Sequence, residues 1–181
     1  MFSINISGSS LCNDKYLAFV LDAVAKSSVP GECLCFEITE TAAVSNFQQA
    51  QRFIAALREL GCRFALDDFG CGLSSFTYLK NLAVDYLKID GSFVRDMAHD
   101  PIDYAMVESI NQLGHVMGIQ TVAEFVETPA ILEALRQLGV DFAQGYALSE
   151  PVPLVDAHLS LLVDRVVASD SKNTVIIGSS G

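Results

Sequence analysis

Apolar residues come in short blocks along this chain, and two kinds of block alternate. Six runs are compact and rich in β-branched or aromatic residues: FSINI (2–6), CLCFEI (33–38), RFALD (63–67), DYLKI (85–89), QTVAE (120–124) and VDFA (140–143). Runs of this length and nearly continuous apolar character read as parallel strands buried on both faces. Between them the apolar residues recur at three- and four-residue steps. Leu17, Val20, Leu21 and Val24 do so in KYLAFVLDAVAKS; Phe47, Ala50, Phe53, Ile54, Leu57 and Leu60 do so in NFQQAQRFIAALREL. That spacing lays one apolar stripe along a helix. Gly61 after Leu60 and Gly139 after Leu138 are suited to helix C-caps. Ser74 is placed to cap a helix in SFTYLKNL, and Thr128 to cap one opening at Pro129. Asp100 and Pro101 open a long helix from about Ile102 to Met117. A final helix is predicted over about 154–168, then a loose polar tail.

Strand followed by helix, repeated six times, predicts an α/β fold with a parallel sheet and helices outside it. No G-x-G-x-x-G follows the first strand, which weakens a dinucleotide-binding reading. The strand ends favour a barrel. Asn5, Glu37, Asp67, Lys88, Glu124 and Gln144 each stand at, or just past, the C-terminal end of one of the six runs. In a (β/α)8 barrel those ends meet on one face, where the loops build the site. A complete barrel of this kind takes roughly 250 residues. The chain is therefore predicted to be an incomplete (β/α)8 TIM-like barrel of about six βα units, with the barrel portion over residues 1–168 and a flexible C-terminal tail over 169–181. Such a portion leaves two sheet edges open, so it is expected to aggregate, to pair with a second copy as a homodimer, or to depend on the remaining strands.

The chain has 181 residues and a net charge of −11. An acidic balance argues against a nucleic acid polymer as partner, because a phosphate backbone needs a Lys/Arg footprint. No apolar run approaches the ~20 residues of a membrane span, and the N-terminus lacks the pattern of a secretory signal, so the cytoplasm is the expected location. Five cysteines without a C-x-x-C pair predict buried, reduced thiols, with Cys33 and Cys35 sharing one strand face. His99, His115 and His158 have no metal-ligand spacing and read as structural or surface residues.

The acidic strand ends carry the chemistry. Glu37, Asp67 and Asp68, with Asn5 and Glu124, make an all-oxygen set of the kind that suits Mg²⁺ or Mn²⁺. Adjacent aspartates can serve two ions, and two divalent ions roughly 3.5–4 Å apart are the usual clamp for phosphodiester hydrolysis. Lys88 could hold the attacking water or neutralise developing charge.

Taken together, FEITET (36–41), DDFGCGLSS (67–75), DYLKIDGSFV (85–94), TVAEFVET (121–128) and AQGYALSEP (143–151), with SINIS (3–7) before them, resemble the EAL-domain family. Those proteins are bacterial cyclic di-GMP phosphodiesterases on a (β/α)8-type barrel. The resemblance implies metal-dependent hydrolysis of cyclic di-GMP to the linear dinucleotide, with Mg²⁺ or Mn²⁺ as a two-ion cofactor. By motif, Asn5, Glu37, Asp67 and Glu124 are similar to metal ligands, and Asp68 to the residue that binds the second ion. Lys88 resembles the lysine that contacts the catalytic water, and Glu40 the glutamate that anchors the loop after the aspartate pair. Glu127 and Gln144 match pocket positions. The Glu-Ala-Leu segment itself is absent, and this implies the C-terminal portion of such a domain, with the preceding strands and a sensory or cyclase-like domain as missing partners. Phe125 stands where Gly is common and would either crowd the pocket or stack on a guanine. Cys71 and Leu73 also depart from the family pattern. Two other readings are a catalytically inactive module that binds cyclic di-GMP and signals through a partner, and an unrelated metal-assisted barrel enzyme.

Overall fold

The computed structural model describes residues 1–71 and 77–150. In chain order the elements are β1 (Phe2–Ile6), α1 (Gly8–Leu11), α2 (Asp14–Lys26), β2 (Leu34–Thr39), α3 (Glu40–Ser45), α4 (Phe47–Arg58), β3 (Arg63–Phe69), β4 (Tyr86–Ile89), α5 (Gly91–Val94), α6 (Pro101–Val116), β5 (Gln120–Ala123), α7 (Pro129–Leu138) and β6 (Phe142–Ala143). All six predicted strands are present. They form one parallel sheet in the strictly sequential order β1-β2-β3-β4-β5-β6. A doubly wound sheet would reverse direction at a switch point. A sequential order is how barrel staves are laid.

The caps explain where the main helices begin. Asn13, Asp100 and Thr128 accept hydrogen bonds from the first free N–H groups of α2, α6 and α7, and Pro101 and Pro129 stand in the first turns of the last two. Gly139 ends α7 with φ +70°, a conformation that costs an L side chain about 1–2 kcal/mol. The helix predicted through Leu60 stops at Arg58, and Leu60 is exposed. The described part of the predicted SFTYLKNL helix is only a single 3₁₀ turn, Leu79–Asn81; its cap, Ser74, lies outside the described residues. The helix predicted over 154–168 and the tail over 169–181 also lie outside them.

The sheet separates two apolar clusters. Between strands and helices lies the large one, including Phe36, Phe53, Leu57, Phe64, Leu66, Leu87 and Leu135. Phe53 meets Phe36 and Phe64 edge-on, at ring-centroid distances of 6.3 and 6.4 Å. On the other sheet face a smaller cluster contains Cys35, Ala65, Tyr86, Val122 and Phe142, one from each of β2 to β6. Two corrections concern the thiols. Cys33 belongs to the 3₁₀ turn Gly31–Cys33 rather than to a strand, so it does not share a face with Cys35; Cys12 and Cys71 are exposed, not buried. All five thiols are free.

Candidate active site

Strand periodicity places the site. Side chains alternate between sheet faces, so residues two apart point the same way. The inner cluster residues Cys35, Ala65, Tyr86, Val122 and Phe142 are followed two positions later by Glu37, Asp67, Lys88, Glu124 and Gln144. On β1, Ser3 pairs with Cys35 and Asn5 with Glu37, which extends the same two rows. The lower row is an apolar floor, and the upper row is polar.

Lys88 joins the upper row. Its ammonium lies 2.7 Å from Glu37, 2.9 Å from Asp67 and 2.8 Å from Glu124. Lys88 and Glu37 are both buried. Burial alone would depress the lysine pKa, but the three carboxylates outweigh it and push the value up, so the ammonium stays charged. One ammonium faces three carboxyl groups, so the cluster holds more acidic groups than cations. Burial lifts the Glu124 carboxyl to about 7; Lys88 opposes that rise and Asp67 adds to it. These shifts describe a site with surplus negative charge and little solvent, which favours a bound cation.

The aspartate pair sits on an irregularity. The pairing of β3 with β4 slips between Leu66 and Phe69, and Asp68 adopts φ +54°. A bulge re-aims side chains at the end of a strand, and aspartate tolerates this region better than most residues. The Asp68 N–H donates to the Asp67 carboxylate at 3.1 Å. Burial, then Asp67 and Asp90, raise the Asp68 pKa. Asp67, Asp68 and Glu124 each offer an oxygen within 4.8 Å of the others, a hard-oxygen donor set that fits Mg²⁺ or Mn²⁺.

Glu40 opens α3 and is buried. One carboxylate oxygen accepts the Gly70 N–H at 3.0 Å and the other the Tyr78 hydroxyl at 2.7 Å, so it grips both ends of the segment that follows the aspartates. Gln144 has a buried side-chain oxygen without a hydrogen-bond partner among the described residues. Its backbone accepts from the Val126 N–H and donates to Ala123. Glu127 is exposed, and no ion pair joins it to the cluster among the described residues. Asn5 is exposed beside Glu37 on β1. Phe125 has φ +53° and lies against Gly91, with the Arg95 guanidinium 4.2 Å from its ring centre. Leu73 lies outside the described residues; Cys71 is exposed, 3.6 Å from the Ser92 hydroxyl.

Sequence reasoning missed Asp90, which caps α5 by accepting the Ser92 N–H at 2.7 Å and helps to raise the Asp68 pKa. An acidic residue directly after the strand run YLKI was the available signal. Tyr78 and Arg95 were also missed. They meet Glu40 and Phe125 across 38 and 30 residues of chain, and no local pattern marks such contacts.

The chain is 47% identical over 152 residues to the cyclic di-GMP phosphodiesterase PdeB of Shewanella oneidensis, which covers 84% of this chain and 18% of that protein. It is 43% identical over 155 residues to the cyclic di-GMP phosphodiesterase PdeF of Escherichia coli, 86% of this chain and 21% of that one. The chain thus spans about a fifth of the length of these curated relatives. Among solved structures, the EAL domain of Mycobacterium smegmatis DcpA matches with a TM-score of 0.82 at 34% identity, over 88% of this chain and 71% of that one. The PaMucR phosphodiesterase in complex with c-di-GMP matches with a TM-score of 0.80 at 35% identity, over 84% and 62%. The family model described as the EAL domain matches residues 1–151. A sequential parallel sheet, an acidic upper row centred on one lysine, and these likenesses together establish that the chain belongs to the EAL-domain family.

Proposed function

We propose that this chain carries the chemistry of a cyclic di-GMP phosphodiesterase, opening the cyclic dinucleotide to the linear one. The observation that carries the reading is the convergence of Glu37, Asp67 and Glu124 on Lys88 at the C-terminal ends of four neighbouring strands. Asp67, Asp68 and Glu124, with Glu37 and Asn5 beside them, would hold Mg²⁺ or Mn²⁺. Bound there, the ions supply an activated water and stabilise charge on the phosphodiester oxygens. Lys88 orients that water through its ammonium and offsets the charge that develops on the phosphate. Glu40 keeps the loop after the aspartates in place through Gly70 and Tyr78. Gln144, whose buried side-chain oxygen has no hydrogen-bond partner among the described residues, and Glu127 are read as pocket positions for the substrate.

The outer edge of β1 is where further strands pair, either from the same polypeptide or from a second copy. Phe2 and Ile4 on that strand are 36% and 37% exposed, which leaves apolar area to cover. Among the described residues no helix is long and apolar enough to cross a membrane, and we place the domain in the cytoplasm.

The test is release of the linear dinucleotide in Mn²⁺. It compares this chain, the same chain extended at its N-terminus to the length of a complete EAL domain, and Asp67→Asn in each. Turnover in the extended chain that Asp67→Asn abolishes supports the reading. A second reading is a module that binds cyclic di-GMP without cleaving it. Ligand binding without turnover in the extended chain would select that alternative.

A further inference from the structure

Phe125 sits immediately after Glu124 in a backbone conformation that side chains rarely adopt. Its neighbours are pinned. The Glu124 N–H donates to the Ile89 carbonyl at 3.4 Å, and the Val126 N–H donates to the Gln144 carbonyl at 3.0 Å, with Val126 fully buried. The turn between them decides where the Glu124 carboxylate points, and it points at Lys88, 2.8 Å away. A phenylalanine held at positive φ needs compensation from its surroundings. Gly91 in α5 and Arg95 just after it supply it. Gly91 offers bare backbone to the ring; a Cβ there would come within 2.2 Å of the Phe125 ring. One helical turn later, the Arg95 guanidinium lies 4.2 Å from the ring centre. Arg95 is exposed and makes no ion pair among the described residues, so the ring is the partner that orients it. α5 in turn is capped by Asp90, which directly follows the strand carrying Lys88.

We infer that Arg95 is a positioning residue for the metal site: by stacking on Phe125 it holds the turn that aims Glu124 at its partners. The inference rests on the metal-site reading above and adds to it a residue outside the acidic cluster. It also accounts for Phe125 without placing it against a nucleotide. The contact joins the loop after β5 to the helix after β4, so two rim segments of the barrel move as one.

The experiment is Mn²⁺ titration of the full chain by calorimetry, without nucleotide, alongside thermal unfolding of each variant. Arg95→Met keeps the length and removes the cation; Arg95→Lys keeps the cation; Phe125→Gly accepts the positive φ without help. Arg95→Met is expected to weaken Mn²⁺ binding about two- to fivefold, the scale of an exposed cation–π contact. Its unfolding midpoint should fall by no more than about 4 °C, the scale of the same contact in a chain of this size, so the variant stays folded. Arg95→Lys should recover most of the affinity. In the Phe125→Gly background Arg95→Met should have no further effect, since the ring it acts through is gone. Equal losses in both backgrounds would mean that Arg95 acts through its field alone, and would overturn the inference. Unchanged affinity in Arg95→Met would overturn it as well while leaving the metal site standing. Absence of Mn²⁺ binding in the unmodified chain would instead overturn the metal-site reading, and this inference with it.

Discussion

The inner face of the sheet carries two rows of side chains from the same strands, two residues apart, and they behave as opposites. The lower row, Cys35, Ala65, Tyr86, Val122 and Phe142, is an apolar layer in which burial pushes the Cys35 thiol up to about 12. The upper row is polar: Glu37, Asp67, Lys88 and Glu124 are ion-paired, and Gln144 adds an amide. The strands, their direction and the sheet face are shared, so what differs is the chemistry of the last inward layer. Function here is one layer deep, resting on a floor that excludes water. That floor also makes the ions above it costly to leave unpaired.

Breaking the ionic row should have the largest effect. Lys88→Met would leave three carboxylates crowded in a low-dielectric site, and the metal-free chain should lose about 3–5 kcal/mol in urea unfolding. Mn²⁺ should restore part of that loss. A loss below about 1 kcal/mol would mean that the lysine is not the counter-charge that holds the row together.

A smaller effect follows from pH. The Glu124 carboxyl is raised from its ordinary 4.5 to about 7, chiefly by burial. Between those values the folded chain binds more protons than the unfolded one. Stability from this group is therefore fully present below about pH 4.5, and it is lost as pH rises through about 7, with a slope of at most about 1.4 kcal/mol per unit. Metal affinity runs the other way, because Glu124 must ionise to ligate. Chemical denaturation and Mn²⁺ titration at pH 5, 6, 7 and 8, on the order of one unit apart across this window, should thus show opposite trends. Parallel trends would contradict the assignment.

The smallest effect tests the floor. The Tyr86 hydroxyl accepts a hydrogen bond from Arg63 at 2.8 Å. Tyr86→Phe should cost about 1 kcal/mol of stability and leave Mn²⁺ affinity unchanged. A large fall in affinity would mean that the two rows are not separable.

Much of this contrast was legible in the sequence. The six apolar runs marked the strands, and a polar residue near each strand's end marked the upper row, because a period of two keeps both rows on one face. The arrangement within the row was less legible. Lys88 stood out as a group for water or developing charge, yet its contacts with Glu37, Asp67 and Glu124 join four strands that pair only in the fold. The short helices α1, α3 and α5 were missed because four to six residues do not complete an apolar period. Leu60 looked periodic, but a turn beyond Arg58 carried it out to solvent. The stacking of Arg95 on Phe125 depends on φ at one residue, which composition does not reveal.

The most direct measurement is Mn²⁺ binding to the intact chain, followed by electron paramagnetic resonance, with Asp67→Asn beside it. The account predicts bound Mn²⁺ in the unmodified chain and its loss when the Asp67 carboxylate becomes an amide. Equal binding by both would contradict the claim that the upper row grips a divalent cation.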